Sequence, residues 1–110
     1  MTEDHEEKRK YKRVPTDVLA TCRSGGRFFY AIIANISMMG LFIKEENPPE
    51  AGASIDLEFE LAHHGAFKIR GSIAWSQKKT YGPNFGMGVS LDHIDDDALE
   101  RLRRFVEEHP

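Results

Sequence analysis

A chain of 110 residues with 40% hydrophobic content has material for one domain with one core. A formal net charge of −3 argues against a general nucleic-acid binder, and a single cysteine, Cys22, excludes an internal disulfide and fits a reducing compartment. No stretch approaches the roughly eighteen consecutive apolar residues of a membrane-spanning helix, and residues 1–7 are acidic without an apolar centre, so they are not read as a signal peptide.

In chain order, residues 1–8 are charged and lack apolar periodicity, which predicts a flexible arm ahead of a domain over 9–110. The average charge hides an asymmetry: Glu3, Asp4, Glu6 and Glu7 are followed at once by Lys8, Arg9, Lys10, Lys12 and Arg13. Pro15 holds Val14 extended, so the basic block is expected to enter the first strand as a loop. Residues 18–23 read as a short strand, Ser24-Gly25-Gly26 as a turn and 28–35 as the second strand. There Phe28, Tyr30, Ile32, Ala34 and Ile36 share a parity and are expected to face the core, leaving Phe29 and Ile33 on the other face. Residues 41–44 make a third strand, and 47–52 a loop.

The clearest strand is 54–61, where Ile55, Leu57, Phe59 and Leu61 alternate with Asp56, Glu58 and Glu60. After a His63-His64-Gly65 turn, Phe67, Ile69, Ile73 and Trp75 share a parity over 67–76, so Trp75 is expected in the core. Gly71, on the same parity, marks a bulge or bend. Beyond a loop over 78–84, Phe85, Met87, Val89 and Leu91 alternate with Gly86, Gly88 and Ser90. Six such strands predict a mainly β fold, a six-stranded antiparallel β-barrel. The period then changes. Asp95 is suited to cap a helix, with Asp96 and Asp97 complementing its N-terminus. Leu99, Leu102, Phe105 and Val106 recur at helical spacing and define a C-terminal α-helix of about ten to fourteen residues. It either closes the barrel or covers the face left by Phe29 and Ile33.

Between the second and third strands stands Asn35-Ile36-Ser37-Met38-Met39-Gly40. Asn35 and Ser37, two apart, share a face, with Ile36 directed toward the core. An amide, a hydroxyl and a glycine backbone suit a polar cradle, and they are equally ordinary turn residues. Nothing points to catalysis. The histidines His5, His63, His64, His93 and His109 are scattered, and no HExxH, CxxC, nucleophile elbow or phosphate-cradling loop is present. Asp95, Asp96 and Asp97 are explained by the helix start.

Arg9-Lys10-Tyr11-Lys12-Arg13 has the form RxxxR and precedes the NxSxxG of Asn35, Ser37 and Gly40. With Gly71-x-x-x-Trp75 and Gly86-x-Gly88-Val89 further on, this order resembles the PilZ domain family, bacterial receptors for the second messenger cyclic di-GMP. The resemblance covers nearly the whole chain. It implies a non-catalytic, cytoplasmic receptor with no cofactor, acting on a downstream protein partner through ligand-induced ordering of the basic arm. It implies that Arg9 and Arg13 engage guanine and phosphate, that Asn35 and Ser37 contact a base, and that Gly40 keeps the site open. Lys8, Lys10 and Lys12 add attraction without geometric specificity. The chemistry is suitable: a guanidinium pairs in bidentate fashion with guanine or phosphate, and an amide both donates to and accepts from a base edge. Two positions depart from the common family pattern, Met39 in place of glycine and Lys8 in place of an arginine. The alternatives are a protein-interaction module on the same fold with little or no nucleotide binding, and a barrel for single-stranded nucleic acid. The acidic total charge and the lack of a clear exposed aromatic platform count against the latter.

Overall fold

A computed structural model describes residues 12–109. Six strands precede one helix: β1 Val14–Ser24, β2 Arg27–Ile36, β3 Gly40–Lys44, β4 Ser54–Leu61, β5 Gly65–Gln77, β6 Gly86–His93 and α1 Asp96–Glu107. A 3-10 turn, Lys79–Tyr81, lies in the β5–β6 loop. All pairings are antiparallel, and the order β1-β2-β3-β6-β5-β4 closes into a barrel because β1 also pairs with β4. Closure leaves no sheet edge open to a further strand.

The period-two pattern of β4 accounts for the barrel wall. Ile55, Leu57, Phe59 and Leu61 are buried while Glu58 and Glu60 are exposed. β4 pairs with β5 without a break, setting Phe59 opposite Phe67, and the two rings stack with centroids 5.2 Å apart. On the outer face Asp56 meets Arg70 at 2.8 Å and Glu58 meets Lys68 at 4.0 Å. Exposed pairs of this kind are screened by water and add little to stability.

Bulges break the period and decide which residues turn inward. The register of β2 against β3 shifts between Ile33 and Asn35, so Ile33 and Ile36 are both buried although three residues apart. A parity counted back from Ile36 is therefore reversed upstream of the shift. Ala31 and Ile33 face the core, while Phe28 and Tyr30 stand outside. β1 begins at Val14, earlier than its apolar pattern suggests, and carries its own shift between Pro15 and Val18. In β5 the register against β6 shifts at Arg70/Gly71, as the position of Gly71 implied, and again between Ile73 and Trp75. The second shift moves Trp75 out of the core to the surface, where it is 45% exposed.

Asp95 caps α1 by accepting from the Ala98 N–H at 2.7 Å, and Asp96 and Asp97 occupy the first turn. Ala98, Leu102, Phe105 and Val106 are buried, whereas Leu99 sits at the helix margin. The buried face joins the barrel core. Arg101 fastens the helix to the β4–β5 turn, donating from Nη1 to the His64 carbonyl at 2.6 Å and lying over the Phe67 ring at 4.4 Å. His64 Nε2 meets Glu108 Oε1 at 2.9 Å. α1 thus closes one end of the barrel. It does not cover Phe29, which packs beneath the Arg27 guanidinium at 4.3 Å, and Ile33 is already in the core. No helix among the described residues is long and apolar enough to cross a membrane.

Candidate ligand-binding groove

The β1–β2 register sets Val14 opposite Ile36 and Pro15 opposite Asn35. That pairing carries Arg13, just ahead of β1, to the β2–β3 turn. Its Nη1 donates to Asn35 Oδ1 at 3.1 Å, joining residues 22 apart in sequence. Arg13 is exposed and Asn35 half-buried. Among the described residues no side-chain hydrogen bond occupies the Asn35 amide nitrogen.

Ser37 builds the turn itself. Its N–H donates to the Gly40 carbonyl at 2.9 Å. Its Oγ accepts from the N–H groups of Met39 at 3.1 Å and Gly40 at 3.2 Å, and donates to the Gly40 carbonyl at 3.3 Å. Ser37 is 1% exposed, so its hydroxyl is engaged in holding the turn that places Asn35. Gly40 is required by close packing: a Cβ there would collide with the Val89 carbonyl, whose carbon would lie at 3.2 Å. Only glycine lets β3 approach β6 at this level.

These residues rim a groove of about 530 Å³ that continues across β3, β6 and β5 to Phe42, Trp75, Gly88 and Ser90. The Phe42 and Trp75 rings stack at 5.6 Å and 19°. The indole lies flat across Gly88, where a Cβ would stand 2.8 Å from Cδ1 and 3.0 Å from Cε2, and nearer still to Nε1. A partly exposed indole, an amide with a vacant donor and a guanidinium thus border one concavity. A planar base fits the ring, its edge fits the amide, and a phosphate or guanine edge fits the arginine.

Of the residues expected at the site, the structure brings Arg13, Asn35, Ser37 and Gly40 together. Lys12 is described but does not line the groove. Lys8, Arg9 and Lys10 lie outside the described residues, as does the expected arm over 1–8. Sequence reasoning missed Trp75 and Phe42. The available signal was the outward-facing Gly86-x-Gly88 pair, since glycine within a strand marks close approach by another group. The Trp75–Phe42 stack also supplies the exposed aromatic platform whose apparent lack counted against nucleic-acid binding; the acidic net charge still does. Among the described residues no three His, Cys, Asp or Glu side chains are placed to hold a metal. Cys22 is buried, and burial pushes its thiol up to about 12, with Glu45 adding to the rise and Arg27 opposing it. A thiol held neutral in this way is a poor nucleophile.

Fold and groove together define a small closed antiparallel β-barrel with a concavity on its outer surface. The sequence matches the PilZ domain over residues 7–108, and the chain belongs to that family. The solved structures that share the fold include two that cover about nine-tenths of this chain. The Bacillus subtilis inhibitor of motility (MotI/DgrA) superposes with a TM-score of 0.71 at 14% identity, covering 90% of this chain and 49% of that one. This chain therefore spans about half the length of the Bacillus protein. The PilZ domain of CeSA from a cellulose-synthesizing bacterium superposes with a TM-score of 0.66 at 13% identity, covering 88% of this chain and 96% of that one.

Proposed function

We propose that this domain is a non-catalytic receptor for cyclic di-GMP, taken up in the Arg13–Asn35–Trp75 groove. The observation that carries the reading is the Arg13–Asn35 hydrogen bond on the rim of a concavity bordered by an exposed indole. One guanine stacks on Trp75, with its edge toward the Asn35 amide. Arg13 takes a phosphate or the guanine O6 and N7 edge. Arg9, four residues before Arg13 in sequence, shares with it the contacts to guanine and phosphate, while Lys8, Lys10 and Lys12 add long-range attraction that falls as salt rises. Ser37 acts by fixing the turn that presents Asn35. Binding draws the 8–13 segment onto the barrel and so changes a surface offered to a downstream protein partner.

Calorimetric titration with cyclic di-GMP, with GTP and a single-stranded oligonucleotide as controls, tests the assignment. Saturable binding is expected for cyclic di-GMP alone. Arg13→Ala weakens it by about 1.5–3 kcal/mol, the range of a hydrogen bond to a charged group. Absence of binding by the wild type would transfer the assignment to a protein-interaction module, and oligonucleotide binding would transfer it to nucleic acid. Amide exchange over residues 8–14 checks the arm: protection should rise when ligand is added, and unchanged protection would remove the ordering step.

A further inference from the structure

Of the five large apolar side chains left exposed outside the groove, three lie together: Leu19, Phe28 and Tyr30, at 59%, 54% and 61% exposure. They form one strip on the outer face of the β1–β2 hairpin. Its register sets Leu19 opposite Ile32, Thr21 opposite Tyr30 and Arg23 opposite Phe28. The Phe28 and Tyr30 rings meet edge to face at 5.5 Å and 76°. The strip belongs to β1 and β2, and none of its three side chains lines the groove, whose Gly40–Gly88 part belongs to β3 and β6.

The two ends of the strip carry opposite charge. The Arg23 guanidinium stands over the Phe28 ring at 5.7 Å. At the other end Asp17 precedes Leu19 by two residues, and Glu60 is the next outward position on β4 after Glu58. Among the described residues, Arg23, Asp17 and Glu60 make no ion pair, whereas the adjacent charges are already matched, Asp56 with Arg70 and Glu58 with Lys68. A strip with one positive and one negative end is complementary to itself after a half-turn, the condition for an isologous contact. At these exposures the three side chains offer roughly 300–400 Å² of apolar surface, about half of the ~800 Å² per partner in a standard interface. That area suits a reversible association rather than a permanent one.

We propose that a second copy of this chain docks here, giving a two-fold, concentration-dependent dimer in which Arg23 of each copy faces Asp17 and Glu60 of the other. Sedimentation velocity from about 10 μM to about 1 mM protein brackets the affinity expected of so small a contact. The mean mass of the wild type should rise toward that of a dimer. Tyr30→Glu should stay monomeric with unchanged melting temperature and unchanged ligand response, which separates this surface from the groove. Arg23→Asp alone and the Asp17→Arg/Glu60→Arg variant alone should each be monomeric, because each sets like charges against one another. An equimolar mixture of the two should associate again, because opposite charges then meet at both ends. A wild type monomeric over the whole range, a Tyr30→Glu variant that still dimerises, or a mixture that stays monomeric would each overturn the proposal.

Discussion

Gly88→Ala probes the groove without removing any group from it. The backbone at Gly88 is not in the left-handed region, so alanine itself is tolerated there. The obstacle is the indole, which a new Cβ would meet at 2.8 Å and 3.0 Å along one edge. Trp75 is 45% exposed and the atoms in the way belong to its side chain, so it moves rather than the strand. The domain then loses the Phe42–Trp75 stack, a contribution of about 0.5–1.5 kcal/mol, and little else. The ligand loses more. Base–aromatic stacking contributes about 1–3 kcal/mol, so affinity for cyclic di-GMP should fall by roughly five- to 150-fold. Trp75 is the single tryptophan, so its fluorescence reports the displacement directly. Trp75→Ala should lose similar affinity, and adding Gly88→Ala to it should cost nothing further, since the two changes act through one contact. Unchanged emission and unchanged affinity in Gly88→Ala would refute the claim that Gly88 seats a binding indole.

Gly40→Ala differs because its obstacle is backbone, the Val89 carbonyl; it should destabilise the fold by about 1–3 kcal/mol in denaturant titrations, and an unchanged midpoint would refute the close β3–β6 approach. Asp95→Ala removes the cap on Ala98 and should cost about 0.5–2 kcal/mol in the same assay, with ligand affinity intact. The Cys22 thiol ionises at 9.0 when unfolded and at about 12 when folded. The folded state keeps its proton longer, so the thiol's contribution is complete below pH 9.0 and is lost as pH rises toward 12. The stability advantage of wild type over Cys22→Ala should shrink across that window; a constant difference would show that the thiol is not sequestered.

The barrel was legible in the sequence because β4 keeps its period without interruption and β6 and α1 keep theirs over Met87 and Val89 and over Leu102, Phe105 and Val106. Ile55 to Leu61 alternate through the whole of β4, and Asp95 announces the helix that follows. The errors cluster at the bulges. A register shift changes parity without changing composition, so Tyr30 and Trp75 read as core while standing on the surface. Leu99 was drawn into the apolar stripe by spacing alone, whereas the smaller Ala98 makes the buried contact. At the groove, the two motifs were legible as patterns, but their adjacency depends on the β1–β2 register, which sets Pro15 opposite Asn35. Which hydroxyl oxygens remain open to a ligand depends on turn hydrogen bonds, and these decide between the two readings the sequence offered for Ser37, cradle or turn.

Trp75 emission during titration with cyclic di-GMP tests the receptor assignment most directly, because the only tryptophan borders the groove. The wild type should show a saturable change, displaced to higher ligand concentration by Arg13→Ala and by Asn35→Ala, with no response to GTP. An emission that stays flat while ligand is added, or a response that both variants retain at wild-type concentrations, would contradict binding in this groove.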